Sequence, residues 1–336
     1  MNKRVSTLLS ALLLATTLGW QQPLVNVAAA THAQTTQKAK TAKSGKHAKA
    51  KKSSKAKKSS KAKTSKAKTV KQPASASKHI KLAGASNARD LGGYINKNGQ
   101  KIKAHRLIRS NTLSKLTKAD TKKLVKTYHV KTDVDLRTLV EQKTSPDVKI
   151  KGVKLVKANV FKNFGAFPDF SKKNAGVKMM EKSYHDAVTT AQGRKAYKML
   201  FHELLKNPKN KSVLWHCSAG KDRAGMGTVL VLSALNFDKK TIANDYLKSN
   251  KYLVQTNKEN LAHQEAGWTK GGKTLTPIVV SNFKAQNGVQ MAYLNTFYKA
   301  IDKNYGSMNG FLHKGLGLSN TQLKQLQANY LTPAKK

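Results

Sequence analysis

The sequence predicts an α/β fold, with a central, mostly parallel sheet flanked by helices. Three observations carry this. Short runs with strand character lie at 107–110, 130–136, 153–160 and 212–215. Stretches of helical pattern separate them, which is the alternation of a parallel sheet. The last run leads through a small-residue loop into Ala224-Gly225-Met226-Gly227-Thr228-Val229-Leu230-Val231-Leu232. That stretch is apolar all round, as only a buried helix is.

The globular part begins well inside the 336 residues. Residues 1–33 have a basic start (Lys3, Arg4), an apolar run from Val5 to Trp20, and small residues at Ala28-Ala29-Ala30 and Thr31-His32-Ala33. This is the pattern of a secretory signal peptide cleaved after Ala30 or Ala33. The apolar run is interrupted by Ser10, Thr16 and Thr17. It is shorter than the ~20 apolar residues that a membrane span needs. No later stretch is long and apolar enough to span, so no transmembrane segment is expected once the leader is removed. Residues 34–78 hold 16 lysines and no acidic residue. With little to bury and like charges repelling, this linker is expected to be disordered. It reads either as a solvated spacer or as an electrostatic tether to an anionic cell-wall polymer or acidic surface. Wall teichoic acid, acidic phospholipid or nucleic acid without sequence specificity would fit. Residues 79–336 form the expected folded domain. Of the 64 Lys and Arg, two lie in the leader and 16 in the linker, leaving 46 against all 16 Asp and Glu, a balance of +30. Such a domain suits an anionic substrate or surface. Its one cysteine excludes an internal disulfide, so stability must come from packing.

Within the domain, Ser86-Asn87-Ala88-Arg89-Asp90-Leu91-Gly92-Gly93-Tyr94 is a polar, Gly-rich turn. Arg89-Asp90 there reads as a surface loop or as a buried brace. A hairpin signal follows over residues 94–102, with Asn96-Lys97-Asn98-Gly99 as its turn. Thr117 is placed to cap a helix carrying Leu124, Val125 and Tyr128. The strand from Val130 ends in Asp135-Leu136-Arg137. Residues 161–176, rich in Phe, Asn, Lys and Gly, read as a mobile loop. A helical region broken near Gly193 then puts Tyr197, Leu200, Phe201, Leu204 and Leu205 on a core face and stops at Asn207-Pro208. Asp238 is placed to cap the next helix. Residues 251–274 read as a polar lid or insertion. Residues 289–305 lead to a turn at Gly306, and a last helix spans residues 319–331.

The chemistry concentrates in Trp215-His216-Cys217-Ser218-Ala219-Gly220-Lys221-Asp222-Arg223-Ala224-Gly225. The loop lies between a strand end and a helix start, where free amides attract anions. A helix N-terminus and a nearby arginine favour the thiolate of Cys217. That thiolate can attack phosphorus and form a phosphocysteine, which water hydrolyses. The amides of Ser218, Ala219, Gly220, Lys221, Asp222 and Arg223 would curl around the phosphoryl oxygens, which requires small residues. Arg223 would grip two oxygens through the transition state. No metal or cofactor is needed for this, and no ligand cluster is spaced for one. A general acid must protonate the leaving oxygen. Asp222 is the local candidate, although Lys221 and Arg223 beside it favour its ionised form. Asp135, at a strand end, is the alternative. Lys221 would add a second positive charge at the mouth.

The run from His216 to Gly225 resembles the Cys-x5-Arg signature of the protein tyrosine phosphatase superfamily, and within it the bacterial tyrosine/serine protein phosphatases. Asn87 to Tyr94, Leu107 to Ser110, Asp135-Leu136-Arg137, Asp245 to Asn250 and Tyr305-Gly306 fall in that family's order, so the resemblance covers roughly residues 80–332. It implies a phosphatase-type α/β fold, Cys217 as nucleophile, Arg223 as clamp and Asp222 as acid, with Asp135 second. It also implies phosphotyrosine substrates, and phosphoserine or phosphothreonine besides. Lys221 is similar to loop lysines that handle phosphoinositides, which makes those the alternative substrates. The sequence departs from the family at Ala224, where a threonine is usual. The missing hydroxyl leaves the thiolate less stabilised and turnover slower, with Ser218 as a partial substitute. Leader and tail suggest a secreted or wall-associated protein of Gram-positive type. A basic surface-binding protein with weak phosphatase activity is the reading from another class.

Overall fold

The computed structural model describes residues 70–333, so the leader and most of the lysine-rich linker lie outside the described residues. The folded part starts earlier than residue 79. Ala76 and Ser77 are buried. The Gln72 side chain donates to the Ile95 carbonyl and accepts from the Ile95 N–H, each at 2.8 Å. The end of the linker is held because these polar groups find partners on the folded domain, which its composition does not reveal.

Six strands form one sheet in the order β1-β2-β3-β6-β4-β5. They are β1 (Lys78–His79), β2 (Arg89–Asp90), β3 (Leu107–Ser110), β4 (Val130–Asp135), β5 (Lys154–Lys157) and β6 (Ser212–His216). The β1–β2 and β2–β3 pairs are antiparallel, while β3, β6, β4 and β5 run parallel. The mostly parallel α/β sheet is therefore as expected. Every residue of β6 is buried. Val213 and Trp215 enter the larger core and Leu214 the smaller one on the other face, as side-chain alternation along a strand requires. Register sets Ser110, His216 and Asp135 side by side at the parallel ends of three neighbouring strands. That edge is where ligands meet an α/β sheet.

Helices flank the sheet. They are α1 (Lys118–Lys126), α2 (Leu139–Thr144), α3 (Ala175–Thr189), α4 (Ala191–Lys206), α5 (Arg223–Ala234), α6 (Lys239–Tyr252), α7 (Val254–Lys270), α8 (Pro277–Asn287), α9 (Met291–Tyr305), α10 (Met308–Gly310) and α11 (Asn320–Tyr330), with a π-turn at Phe311–Gly315. Thr117 and Asp238 cap α1 and α6 as expected, and Ser319, expected as the first residue of the last helix, is the cap of α11. The break expected near Gly193 falls at Thr190, which ends α3 and caps α4. Gly193 lets the two helices meet, because a Cβ there would lie 2.1 Å from the Ala187 carbonyl oxygen. Residues 251–274 are mostly the helix α7, none of whose residues is buried. Only Leu261 and Trp268 pack, partly buried, against the cluster of Phe170, Ala175, Val279 and Phe283, and a helix with so narrow a contact carries little periodic signal in its sequence.

Arg89 and Asp90 prove to be buried, but not as a pair. Asp90 accepts from the N–H groups of Gly92 and His105, each at 2.9 Å. Arg89 reaches instead to Asp245 on α6, with Nε 3.1 Å from Oδ1. Arg109 on β3 meets the other oxygen of Asp245 at 2.8 Å. Ser77 and Tyr94 donate to the same carboxylate at 3.1 and 3.2 Å. All three charged side chains are fully buried. Burial alone would raise the pKa of Asp245, but the two guanidiniums hold it well below the usual carboxylate range. Removing one partner of such a cluster leaves an uncompensated charge. Asp245→Asn is expected to cost about 3–5 kcal/mol. Urea unfolding read by tryptophan fluorescence checks this, and a midpoint equal to the wild type's would refute it.

Candidate active site

The site is the strand–loop–helix turn from Cys217 to Arg223. Outer groups capture the loop's carbonyls. Thr112 N–H donates to the Ser218 carbonyl at 3.0 Å. Asn87 Nδ2 donates to that of Ala219 at 2.9 Å, and Arg109 Nη2 to that of Gly220 at 2.7 Å. With the carbonyls drawn outward, the amides turn inward. Among the described residues, no acceptor takes the N–H groups of Ser218, Ala219, Gly220 or Lys221. Gly220 has φ +69°, and a Cβ there would lie 2.4 Å from the Ser110 carbonyl oxygen. Only glycine fits so close to β3 in that conformation. Helix α5 begins without a side-chain cap, so its first amides add to the ring of donors.

Cys217 lies at the floor and is almost entirely buried. Arg223 opens α5 and is grasped end-on by Glu141, at 2.6 Å from Nη1 to Oε2 and 2.9 Å from Nη2 to Oε1. Arg223 Nη2 also donates to Ser218 Oγ at 3.2 Å, and that hydroxyl donates to Glu141. Ser218 thus turns toward Glu141, so it does not take over the role of the hydroxyl missing at Ala224. Burial works against charge on Glu141, but Arg223 more than offsets it and brings its pKa down to about 2. The Phe164 ring centroid lies 5.1 Å from the Arg223 guanidinium carbon, a cation–π distance.

Asp222 Oδ1 accepts from the Tyr184 hydroxyl at 2.8 Å and from Lys221 Nζ at 3.1 Å, and Oδ2 lies 2.8 Å from the same Nζ. Lys221 is not a free cation at the mouth. It is 5% exposed, and its Nζ also donates to the carbonyls of Gln286 and Gly288 at 2.8 and 3.1 Å. The negative end of α8 draws it inward. Asp135 is committed elsewhere. Arg137 holds both its oxygens, from Nε at 2.9 Å and from Nη2 at 2.8 Å.

Beneath the loop, His216 Nε2 lies 3.2 Å from Asp147 Oδ2 and 3.4 Å from Asp133 Oδ1. These three are the one group among the described residues spaced to hold a cation. Burial opposes charge on the imidazole, but Asp147 and Asp133 outweigh it and lift the His216 pKa to about 10. The imidazolium and Arg137, 2.6 Å from Asp147, supply the positive charge there. Sequence reasoning passed over Glu141, Asp147, Tyr184 and Phe164. Only Glu141 left a local signal, the Thr138-Leu139-Val140-Glu141 capping box, which marks a helix start and not a partner for Arg223.

A cradle of backbone amides with a thiol at its floor and an arginine at its rim is suited to hold a phosphoryl group. Residues 80–332 match the tyrosine phosphatase family, and the chain belongs to it. A Cupriavidus necator protein whose name gives tyrosine-protein phosphatase as an inferred activity is 28% identical over 249 residues, 73% of this chain and 86% of the relative. A tyrosine-protein phosphatase of Nostoc commune is 29% identical over 239 residues, covering 67% and 74%. The triple specificity protein phosphatase PtpB of Mycobacterium tuberculosis is 34% identical over 122 residues, covering 35% and 43%. The chain is an enzyme of the protein-tyrosine-phosphatase class.

The Glu141–Arg223 pair gives the fold an acid limit. A carboxylate whose pKa is depressed stabilises the fold above its unfolded value and loses that contribution as pH falls through the folded one. Glu141→Gln should therefore cost about 3 kcal/mol from pH 5 to 8, with the difference from wild type shrinking below about pH 4.5. Urea midpoints measured across this range check it, and a difference independent of pH would count against the pair.

Proposed function

We propose that this protein is an exported phosphatase that hydrolyses protein phosphotyrosine through a phosphocysteine. The observation that carries the reading is the inward ring of loop amides above Cys217. The Cys217 thiolate attacks phosphorus in line as the P–O bond to the phenol breaks. Asp222 gives its proton to the departing oxygen. Asp222, now a carboxylate, takes a proton from water as that water attacks phosphorus, the S–P bond breaks, and phosphate leaves with the thiolate restored. An arginine has five N–H donors. Glu141 and Ser218 engage three of those on Arg223, so a bidentate grip through Nε and Nη2 requires the phosphoryl group to displace Ser218 from Nη2. The engagement of Asp135 by Arg137 favours Asp222 as the acid.

Two observations favour phosphotyrosine over phosphoinositides. Lys221 has its three donors committed to Asp222, Gln286 and Gly288, so the loop lacks the extra cation that a multiply phosphorylated head group would use. Phe164 beside Arg223 supplies an aromatic wall suited to a phenyl ring. A panel of phosphotyrosyl peptide, phosphoseryl peptide and phosphoinositide is expected to show the highest kcat/KM on the first. Cys217→Ser and Arg223→Lys should lose at least ~1000-fold on it. Retained turnover in Cys217→Ser would sink the mechanism, and a phosphoinositide preference would sink the specificity.

The leader supports export, and the lysines of residues 34–68 support retention on an anionic wall polymer. Deleting residues 34–68 is expected to abolish binding to immobilised teichoic acid in moderate salt and to leave kcat/KM on a small aryl phosphate within about 2-fold. Undiminished binding would refute the tether.

A further inference from the structure

We propose that Tyr184, itself held by Tyr246, is a positioning residue that fixes the carboxyl of Asp222 so that the transferable proton rides on Oδ2. This rests on the reading of Asp222 as general acid. Tyr184 is on α3 and fully buried, and Tyr246 is on α6 and nearly so. The two hydroxyl oxygens are 2.8 Å apart. Gly225 makes room for this arrangement, since a Cβ there would lie 3.3 Å from the Tyr246 ring.

The direction of the chain follows from donor accounting. Each phenol has one proton to donate. Among the described residues, the Tyr246 hydroxyl has no partner other than Tyr184, so it satisfies its proton only by donating there. Tyr184 must then send its own proton to Asp222 Oδ1, 2.8 Å away. Burial, reinforced by the nearby Asp222 charge, raises both phenol pKa values well above the ordinary one, so both remain donors. Lys221 Nζ donates to Oδ1 as well, at 3.1 Å, so both acceptor sites of Oδ1 are taken and a proton on this carboxyl is favoured on Oδ2. Oδ2 faces Lys221 Nζ at 2.8 Å when Asp222 is ionised. Lys221 is anchored on the α8 carbonyls, so the carboxyl is held from two sides and cannot rotate freely.

The test is the dependence of kcat/KM on leaving group across aryl phosphates, from dinitrophenyl phosphate to phenyl phosphate. A leaving phenol that is a weak acid needs the proton, whereas dinitrophenolate does not. Tyr184→Phe keeps the ring and removes the donor. It should lower kcat/KM by about 10- to 100-fold on phenyl phosphate and by less than about 3-fold on dinitrophenyl phosphate. Tyr246→Phe should shift the same ratio in the same direction by a smaller factor. The ratio of two substrates on one preparation is independent of how much enzyme has folded. An equal loss on both substrates, or no loss, would overturn the proposal. Asp222→Asn is the reference: if it leaves the ratio unchanged, Asp222 is not the acid, whereas a changed ratio there with none in Tyr184→Phe defeats the positioning role alone.

Discussion

The fold and the site both depend on one buried carboxylate, Asp245, which holds two buried guanidiniums. Arg89 comes from β2, Arg109 from β3 and Asp245 from α6, so a single cluster fixes helix to sheet. Such a cluster is weak grounds for stability in itself, because desolvation of three ions consumes most of their attraction. Its value is positional. Arg109 uses another N–H on the Gly220 carbonyl, and Arg89 donates to the Asn87 side chain at 2.7 Å. Asn87 in turn holds the Ala219 carbonyl. The same carboxylate therefore shapes the phosphate loop through two separate routes.

That shape is a sorting of backbone dipoles. Each loop residue has one donor and one acceptor, and both must be satisfied or face solvent. Because Thr112, Asn87 and Arg109 take successive carbonyls on the outside, the amides have only the inside to serve. Gly220 is the joint where the chain bends into φ +69° to make this possible. The loop is preorganised before any anion arrives, which is what transition-state stabilisation by fixed dipoles requires.

What the sequence reveals of this is what is local. The Cys-x5-Arg loop, the strand before it and the apolar helix after it are contiguous, so spacing and periodicity suffice. The caps at Thr117 and Asp238 are legible for the same reason. Long-range partners are not. Glu141 lies 82 residues from Arg223, and Arg89 lies 156 from Asp245. Nothing in Lys221 itself says that it will fold back onto the end of α8. Its position between Ser218-Ala219-Gly220 and Asp222 suggests a cation facing the ligand, and only the placement of α8 reverses that. Helix α7 escapes notice because it buries no residue fully, and burial is what writes a period into a helix.

The charges beneath the loop are distributed unevenly, and the unevenness has a consequence. On the β3 side two guanidiniums face one carboxylate, a local surplus of one positive charge next to Gly220. On the β4 side Asp133, Asp135 and Asp147 face Arg137 and His216, a local deficit of one when all are ionised. Burial, only partly offset by His216, raises the pKa of Asp133 to about 7. Below that pH the deficit is filled by a proton while the surplus persists. Arg223 and Lys221 are meanwhile balanced by Glu141 and Asp222, the latter only while it is ionised. The Arg89–Arg109–Asp245 cluster keeps its surplus positive charge behind Gly220, where it offsets the Cys217 thiolate of the proposed reaction, and Lys221 adds an unmatched charge once Asp222 is protonated.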